Sequence, residues 1–305
     1  QNYSFDLNRT LYFFTSGRFE YKNKGYDLVL EALARLNWKL KQAGSDITIV
    51  TFIITRNPVN NLKADVLRSK AMLDEIKRNC EQLQESIAKN LFYQVAATTK
   101  GFAMPDLCSM LNDNDVLRLR NNLQSWRSKK LPSVVTHNLV DEQNDPVLNF
   151  LKTSNLLNNP DDRVKVIYHP DFISTSNPLF HMEYYQFIRG CHLGIFPSYY
   201  EPWGYTPMEC IASGIPSITS DLAGFGTFVK QTIDDYEKVG IYVLKRKNKS
   251  FDTSAEELSN LLFEFIKLNR RQRIMQRNRV EASSEQFDWN KLGKYYDKAY
   301  GLALR

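Results

Sequence analysis

The sequence predicts an α/β fold built on a Rossmann-like, doubly wound parallel sheet. Three observations carry that expectation. Short apolar runs of strand length recur along the chain, and segments of helical periodicity separate the later ones. One run, ITIVTFIIT at Ile47–Thr55, is almost wholly β-branched, as in a strand covered on both faces.

Taken in order, LYFFTSG at Leu11–Gly17 reads as a strand ending in a turn. Leu28, Val29, Ala32, Leu33, Leu36 and Leu40 then share one stripe of a helix over Tyr26–Gln42. After the buried strand the alternation lapses across residues 56–160. Within that stretch Leu73, Ile76, Cys80, Leu83 and Ile87 recur at spacings of three and four, a coiled-coil seam of about two heptads. Val116, Leu119, Leu123 and Trp126 form a second stripe behind the capping stretch Asn112–Asp115. Such a pair packs only on itself or also binds another subunit. Further strands are expected at Val164–Tyr168, Leu193–Pro197, Pro216–Ser220 and Ile241–Leu244. Thr253-x-x-Glu256 reads as a capping box, opening a long helix through Leu258, Leu261, Leu262 and Phe265 that ends in arginines. A last helical stripe runs within Trp289–Arg305. Residues 1–55 and 161–305 are thus expected to form the sheet domain, with 56–160 inserted.

Composition narrows the class. A chain of 305 residues, 43% of them hydrophobic, can bury a sizeable core. No apolar run approaches the roughly 20 residues of a membrane-spanning helix; the best is Ile47–Ile54. The net charge of +6 is mild and much of it sits in one arginine segment, which favours a local anion site over a nucleic-acid surface. Cys80, Cys108, Cys191 and Cys210 have neither framework nor metal-ligand spacing, so reduced thiols and a cytosolic setting are expected. Gln1 opens the chain without a signal or transit pattern, and the sequence reads as a piece of something longer.

In an open parallel sheet, ligands bind beyond the carboxyl ends of the strands at the switch in strand order. Three stretches fall there: GRFEYKNKG at Gly17–Gly25, PSYYEPWGYTPMEC at Pro197–Cys210, and DLAGFG at Asp221–Gly226. In the second, Thr206 reads as an N-cap, Pro207 as the first helical residue and Glu209 as the reciprocal partner of a capping box. A helix starting there offers free N–H groups to an anion, a diphosphate above all. Gly204 lets a ligand approach the backbone. Glu201, among aromatics and before the helix, is a candidate for chemistry or sugar binding. Arg18 and Lys24 could hold a departing diphosphate.

Farther along, Arg270, Arg271, Arg273, Arg277 and Arg279 fall within ten residues. At ~100° per residue, Arg270, Arg273 and Arg277 share one face and Arg271 and Arg279 another. Like charges so spaced weaken a helix, so the cluster is expected to meet anions.

GRFEYKNKG, THNLVD, RVKVIYHPDF, RGCHLGIFPSYYEPWGYTPMEC and RRQRIMQRNR together closely resemble the eukaryotic glycogen synthase family, over essentially the whole chain. The resemblance implies one half of a two-domain GT-B glycosyltransferase, the half that binds the nucleotide sugar. It implies retaining transfer of glucose from UDP-glucose to the non-reducing end of an α-1,4-glucan, activation by glucose 6-phosphate, and no cofactor or metal. Glycogen and glycogenin are the implied partners, with neither nucleic acid nor membrane, and the cytoplasm is the implied location. Glu201 matches a glutamate beside the reacting sugar and Glu209 one assigned to the ribose. Arg18, Lys24 and Thr206 match diphosphate contacts, and Tyr184 matches a tyrosine that stacks on uracil. His192, Arg273 and Arg277 match activator contacts, while Arg270, Arg271 and Arg279 match arginines that respond to phosphorylated tails. The inserted helices match the element that builds a homotetramer. One departure stands out: Ala282 occupies a position where the family commonly carries a further arginine.

Overall fold

The computed structural model describes residues 6–97, 106, 110–126 and 131–304. In chain order, β1 (Thr10–Arg18), α1 (Tyr26–Gln42), β2 (Thr48–Arg56) and β3 (Val59–Leu62) precede α2 (Ala64–Ala97) and α3 (Asp113–Trp126). Then come β4 (His137–Leu139), α4 (Pro146–Thr153), β5 (Val164–His169), α5 (Tyr184–Gly190), β6 (Leu193–Ile195) and α6 (Tyr205–Ala212). They are followed by β7 (Ser217–Ser220), α7 (Gly224–Thr232), α8 (Tyr236–Val239), β8 (Ile241–Leu244), α9 (Phe251–Lys267), α10 (Arg270–Ser283) and α11 (Trp289–Ala303).

Six strands form one sheet in the order β5-β2-β1-β6-β7-β8, all pairs parallel. This is the doubly wound order, and its reversal point falls between β1 and β6. The register follows burial. β2 pairs with β1 from Thr48 against Thr10 to Arg56 against Arg18, and from Thr48 to Thr55 only Phe52 is not fully buried. A strand covered on both faces has no polar face to alternate, which is why ITIVTFIIT carries no period of two. On one side α1 buries Leu28, Leu33, Leu36 and Leu40, as its stripe predicts, and α9 adds Leu258, Leu262 and Phe265 to the same core. Burying each such leucine stabilises the fold by about 1.5–3 kcal/mol. On the other side Phe14, Phe187, Phe196 and Cys210 form a second cluster, with ring pairs near 5.6–5.8 Å.

The helical insertion is shorter than the expected 56–160. The chain divides into a compact unit over Leu62–Pro132 and a larger one over Phe5–Asn61 and Ser133–Arg305. Residues 133–160 belong with the sheet because α4 has its own apolar face: Val147, Leu148 and Leu151 join the α1 core, and Asp145 caps the helix by accepting from Leu148 N at 2.8 Å. Within the smaller unit α2 is 34 residues long and α3 only 14, so α3 covers part of the seam. Leu73 and Leu123 remain 48% and 43% exposed, Cys80 is exposed, and the buried residue of α2 is Asn79. Cys191 and Cys210 are buried as expected; Cys108 lies outside the described residues.

Two helix boundaries also differ. Ser250, not Thr253, caps α9: its side chain accepts from Thr253 N at 3.2 Å, so the helix begins a turn early. Glu256 is thereby free to pair with Lys39 at 2.6 Å and Arg35 at 3.4 Å. The expected single helix running into the arginines is two. Asn269 Oδ1 accepts from Gln272 N at 2.9 Å and Gln272 Oε1 in turn accepts from Asn269 N at 2.8 Å, a box that opens α10 just past the end of α9. None of the described helices is long and apolar enough to cross a membrane. Replacing Asn269 by Ala should cost about 1 kcal/mol, read as a lower midpoint of urea unfolding at unchanged slope.

Candidate active site

The loops leaving β1 and β6 meet at the reversal point, as the strand order requires. Their meeting is close. Gly25 has φ +74°, and a Cβ there would lie 2.3 Å from Pro197 O, so the turn that starts α1 can rest on the β6 loop only as glycine. Tyr199 N donates to Asn23 O at 2.7 Å, and Ser220 Oγ donates to Ser198 O at 2.6 Å. From the third side, Gly224 N donates to Glu201 O at 3.0 Å and Phe225 N to Trp203 O at 2.8 Å. Trp203 stands edge-on to Phe225, centroids 5.8 Å apart, and anchors the loop in an apolar cluster. The aromatics of PSYYEPWGYTPMEC therefore divide: Trp203 fixes the backbone, while Tyr199, Tyr200 and Tyr205 stay above 60% exposed.

A small polar cavity lies between these loops, lined among others by Ser16, Lys24, Ser198, Glu201, Thr206 and Thr219. Lys24 Nζ donates to Glu201 Oε2 across it, and the two side chains are only 15% and 22% exposed. The pair brings the β1 loop and the β6 loop together through charge.

The start of α6 corrects the expected cap. The helix begins at Tyr205, with Gly204 in the cap position at φ +115° and no side-chain cap. Thr206 is the second helical residue and Glu209 closes no box. The cause is tertiary: the Glu201 to Ala223 bridge and the Trp203 carbonyl tied to Phe225 force a left-handed turn that only glycine takes readily. Pro207 falls in the first turn, where its missing N–H costs no helical bond. The first turn of α6, whose N–H groups have no partner within the helix, still borders the cavity, which Gly204 and Thr206 line.

The other predicted residues separate. The Glu209 carboxylate has no hydrogen bond or ion pair among the described residues, and burial raises it above the usual carboxylate range. Tyr184, at the head of α5, packs partly into the second apolar cluster and shares a hydrogen bond between its hydroxyl and Ser16 Oγ, at the cavity wall. Arg18 does not enter the cavity. Its side chain is 79% exposed and pairs with Glu20 at 3.2 Å. Sequence reasoning missed Arg246, just beyond β8, which donates to Pro197 O and lies 5.5 Å over the Tyr199 ring. The strand-end rule that singled out the other loops applies to β8 equally.

A second cluster lies at the amino end of the sheet. His192 precedes β6; its Nδ1 accepts from Tyr12 N at 3.1 Å and its ring stacks on Tyr12 at 5.8 Å. Burial, then Arg273 and Arg277, push its pKa down to about 4. Arg273 donates to Leu268 O and Arg277 to Arg189 O at 3.1 Å, so both turn inward. Arg270, Arg271 and Arg279 are exposed, as is Ala282. Arg270 therefore parts from Arg273 and Arg277, with which the 100° spacing grouped it.

A doubly wound parallel sheet with flanking helices and a charged cleft at its reversal point defines an α/β protein of the Rossmann-like class. The chain belongs to the glycogen synthase family, whose pattern it matches over residues 1–305. It is 42% identical over 304 residues to the Neurospora crassa glycogen [starch] synthase, covering 100% of this chain and 43% of that protein. The human liver glycogen [starch] synthase is 44% identical over 300 residues, covering 98% and 42%. The chain thus spans less than half the length of these relatives. Among solved structures, Escherichia coli trehalose-6-phosphate synthase bound with UDP-2-fluoro glucose superposes with TM-score 0.47 at 11% identity, over 96% of this chain and 44% of that one.

The His192 environment gives a pH prediction. Its folded pKa, about 4, lies below the ordinary 6.5. The stability it contributes is therefore present above pH 6.5 and is lost as pH falls toward 4. Against a His192→Asn variant, wild-type stability should fall more steeply in that window, by up to about 1.4 kcal/mol per pH unit. Equal slopes in urea titrations would contradict the burial argument. Gly25→Ala should displace the Pro197 loop and cost about 1–3 kcal/mol, measured the same way.

Proposed function

We propose that the chain is the nucleotide-sugar half of a glycogen synthase with the GT-B arrangement, an enzyme moving glucose from UDP-glucose to the non-reducing end of an α-1,4-glucan with retention. The observation that carries this reading is the Lys24–Glu201 pair, held at the reversal point beside the first turn of α6.

The residues suggest how the chemistry would run. As the glycosidic bond to UDP breaks, negative charge grows on the diphosphate. The free N–H groups of Tyr205 and Thr206 and the ammonium of Lys24 are placed in advance to meet it. Arg18, exposed on the rim and paired with Glu20, can swing onto the same phosphates. Glu201 keeps Lys24 pointed inward and would lie against the positive charge that develops on the sugar. Glu209, whose carboxylate has no partner among the described residues, is left for the ribose hydroxyls, and Tyr184, at the cavity wall, would take the uracil. The activator, glucose 6-phosphate, would fit the other cluster: Arg273 and Arg277 for its phosphate and neutral His192 for a hydroxyl. Arg270, Arg271 and Arg279 remain outward for phosphorylated segments, with Ala282 weakening that response. Leu73 and Leu123, exposed along the α2–α3 seam, support a homotetramer built there. Glycogen and glycogenin are the proposed partners, in the cytoplasm, with no cofactor.

Because the chain spans less than half the length of its relatives, it should by itself bind UDP weakly by calorimetry and extend no glucan. Elongation by the isolated chain would overturn that. In the full-length protein, Arg18→Ala and Lys24→Ala should each lower kcat by about 100-fold or more, while Glu209→Ala should raise the UDP-glucose KM more than it lowers kcat. Near-normal turnover in the first two would remove both from the role.

A further inference from the structure

Arg246 takes no part in the chemistry above, yet the loops that build the cleft meet on it. Its main chain, just beyond β8, is fixed first: Arg246 N and Lys247 N both donate to Asp221 Oδ1, at 2.8 and 3.1 Å. Asp221 N in turn donates to Leu244 O at 3.0 Å, so the exits of β7 and β8 are clasped together. From that root the side chain runs back across the end of β7, and Nη1 donates to Pro197 O just past β6.

The acceptor is a crowded carbonyl. Pro197 is buried, and the chain turns sharply there, with Ser198 N donating back to Phe196 O at 2.9 Å. The same oxygen is the atom that a Cβ on Gly25 would strike at 2.3 Å. Gly25 leaves room for Pro197 O, and the Arg246 guanidinium supplies the hydrogen bond that a buried carbonyl cannot forgo cheaply. Among the described residues no second donor reaches that oxygen.

Two further neighbours seat the guanidinium. It lies 5.5 Å over the ring of Tyr199, in the same loop as Pro197. Asp27, in the first turn of α1, is within electrostatic reach: burial raises its carboxyl, and the Leu28 N–H and then the charge of Arg246 draw it back. One planar cation thus joins the start of α1 to the exits of β6, β7 and β8.

The place of Pro197 governs that of Glu201, farther along the loop. The far half of the loop is bonded to the β7–α7 turn, through Gly224 N to Glu201 O and Phe225 N to Trp203 O. The near half depends on Arg246, on Ser220 Oγ at Ser198 O and on Tyr199 N at Asn23 O. The first turn of α6 lies beyond the far anchors. Release of Arg246 would therefore tilt the loop at its Pro197 end and shift Glu201, while sparing the end of α6 that faces the diphosphate.

We propose that Arg246 is a positioning residue for glucosyl transfer: by holding Pro197 O and Tyr199 it sets Glu201 against the reacting sugar, and it touches neither substrate. The proposal rests on the UDP-glucose reading above.

The test uses the full-length protein. Arg246→Met keeps most of the side chain's hydrocarbon and loses every donor. Its kcat, counted per UDP-binding site by calorimetry so that unfolded protein drops out, should fall about 10- to 100-fold, as a displacement near 1 Å would cause. The KM values for UDP-glucose and maltoheptaose should stay within about threefold of wild type. Arg246→Lys, with a charge and a donor but no flat fork, should recover part of the loss. Because the effect runs through Glu201, adding Arg246→Met to Glu201→Gln should slow turnover by no more than about twofold. A purely structural role would exact the full loss again in that double variant. Unchanged kcat per site, a rise in either KM with kcat intact, or a full further loss in the double variant each overturns the proposal.

Hydrogen exchange needs no turnover. In Arg246→Met, residues 197–204 should exchange about tenfold faster than in wild type, with residues 28–40 unchanged. If that variant fails to fold, Tyr199→Ala, at an exposed position, removes the ring that seats the guanidinium and should show the same pattern more weakly. Equal exchange at 197–204 ends the proposal. If the wild type transfers no glucose from UDP-glucose, the functional reading fails instead, and exchange alone decides whether Arg246 holds the loop.

Discussion

Everything at the cleft depends on one ionic contact, Lys24 to Glu201, because it ties the loop after β1 to the loop after β6 across the reversal point of the sheet. A half-buried pair such as this stabilises little in net terms, since the cost of drying two charges offsets most of their attraction. Its value is positional. Lys24 would otherwise swing on four rotatable bonds, and Glu201 would otherwise relax toward water. The backbone makes the pair possible: Gly25 admits Pro197, and Gly224 N and Phe225 N hold the carbonyls of Glu201 and Trp203. The loop is thus fixed from three directions before any charged group is counted, and a preorganised cation is worth more to a departing anion than a mobile one.

Much of this was legible in the sequence where a local pattern and the tertiary fold agree. The stripe of α1, the unbroken apolar run of β2 and the convergence of the first and fourth strand-end loops follow from periodicity and strand order. Helix starts were less legible. PSYYEPWGYTPMEC offers Thr206 as a cap, and the local chemistry is sound, but Gly204 takes the position because the neighbouring β7–α7 loop holds the preceding carbonyls. Ser250 displaces Thr253 for a simpler reason: both residues satisfy the rule, and the earlier one lets α9 gain another turn on the α1 core. Asn269 interrupts what reads as continuous helix, since the arginines carry no apolar stripe that would betray the change of axis.

Side-chain direction was least legible. Arg18 and Lys24 lie six residues apart in one polar stretch, yet one is at the rim and the other inside. The 100° rule grouped Arg270 with Arg273 and Arg277, and the capping box at Asn269 leaves it in the first turn, facing water. Arg246 was invisible because a single arginine after a short strand has no spacing to read.

The sheet has one further property. Both its faces are sheathed in hydrocarbon, and β6, its thinnest member, is three residues long, roughly 10 Å from end to end. His192 sits at one tip and Pro197 just past the other. Water is scarce along that path, so the field of a charge docking beside His192 fades far less on the way to Pro197 than it would through saline of equal width. The sheet is an insulator as well as a scaffold, and two charged ligands at its opposite rims would sense each other without any atom having to travel between them.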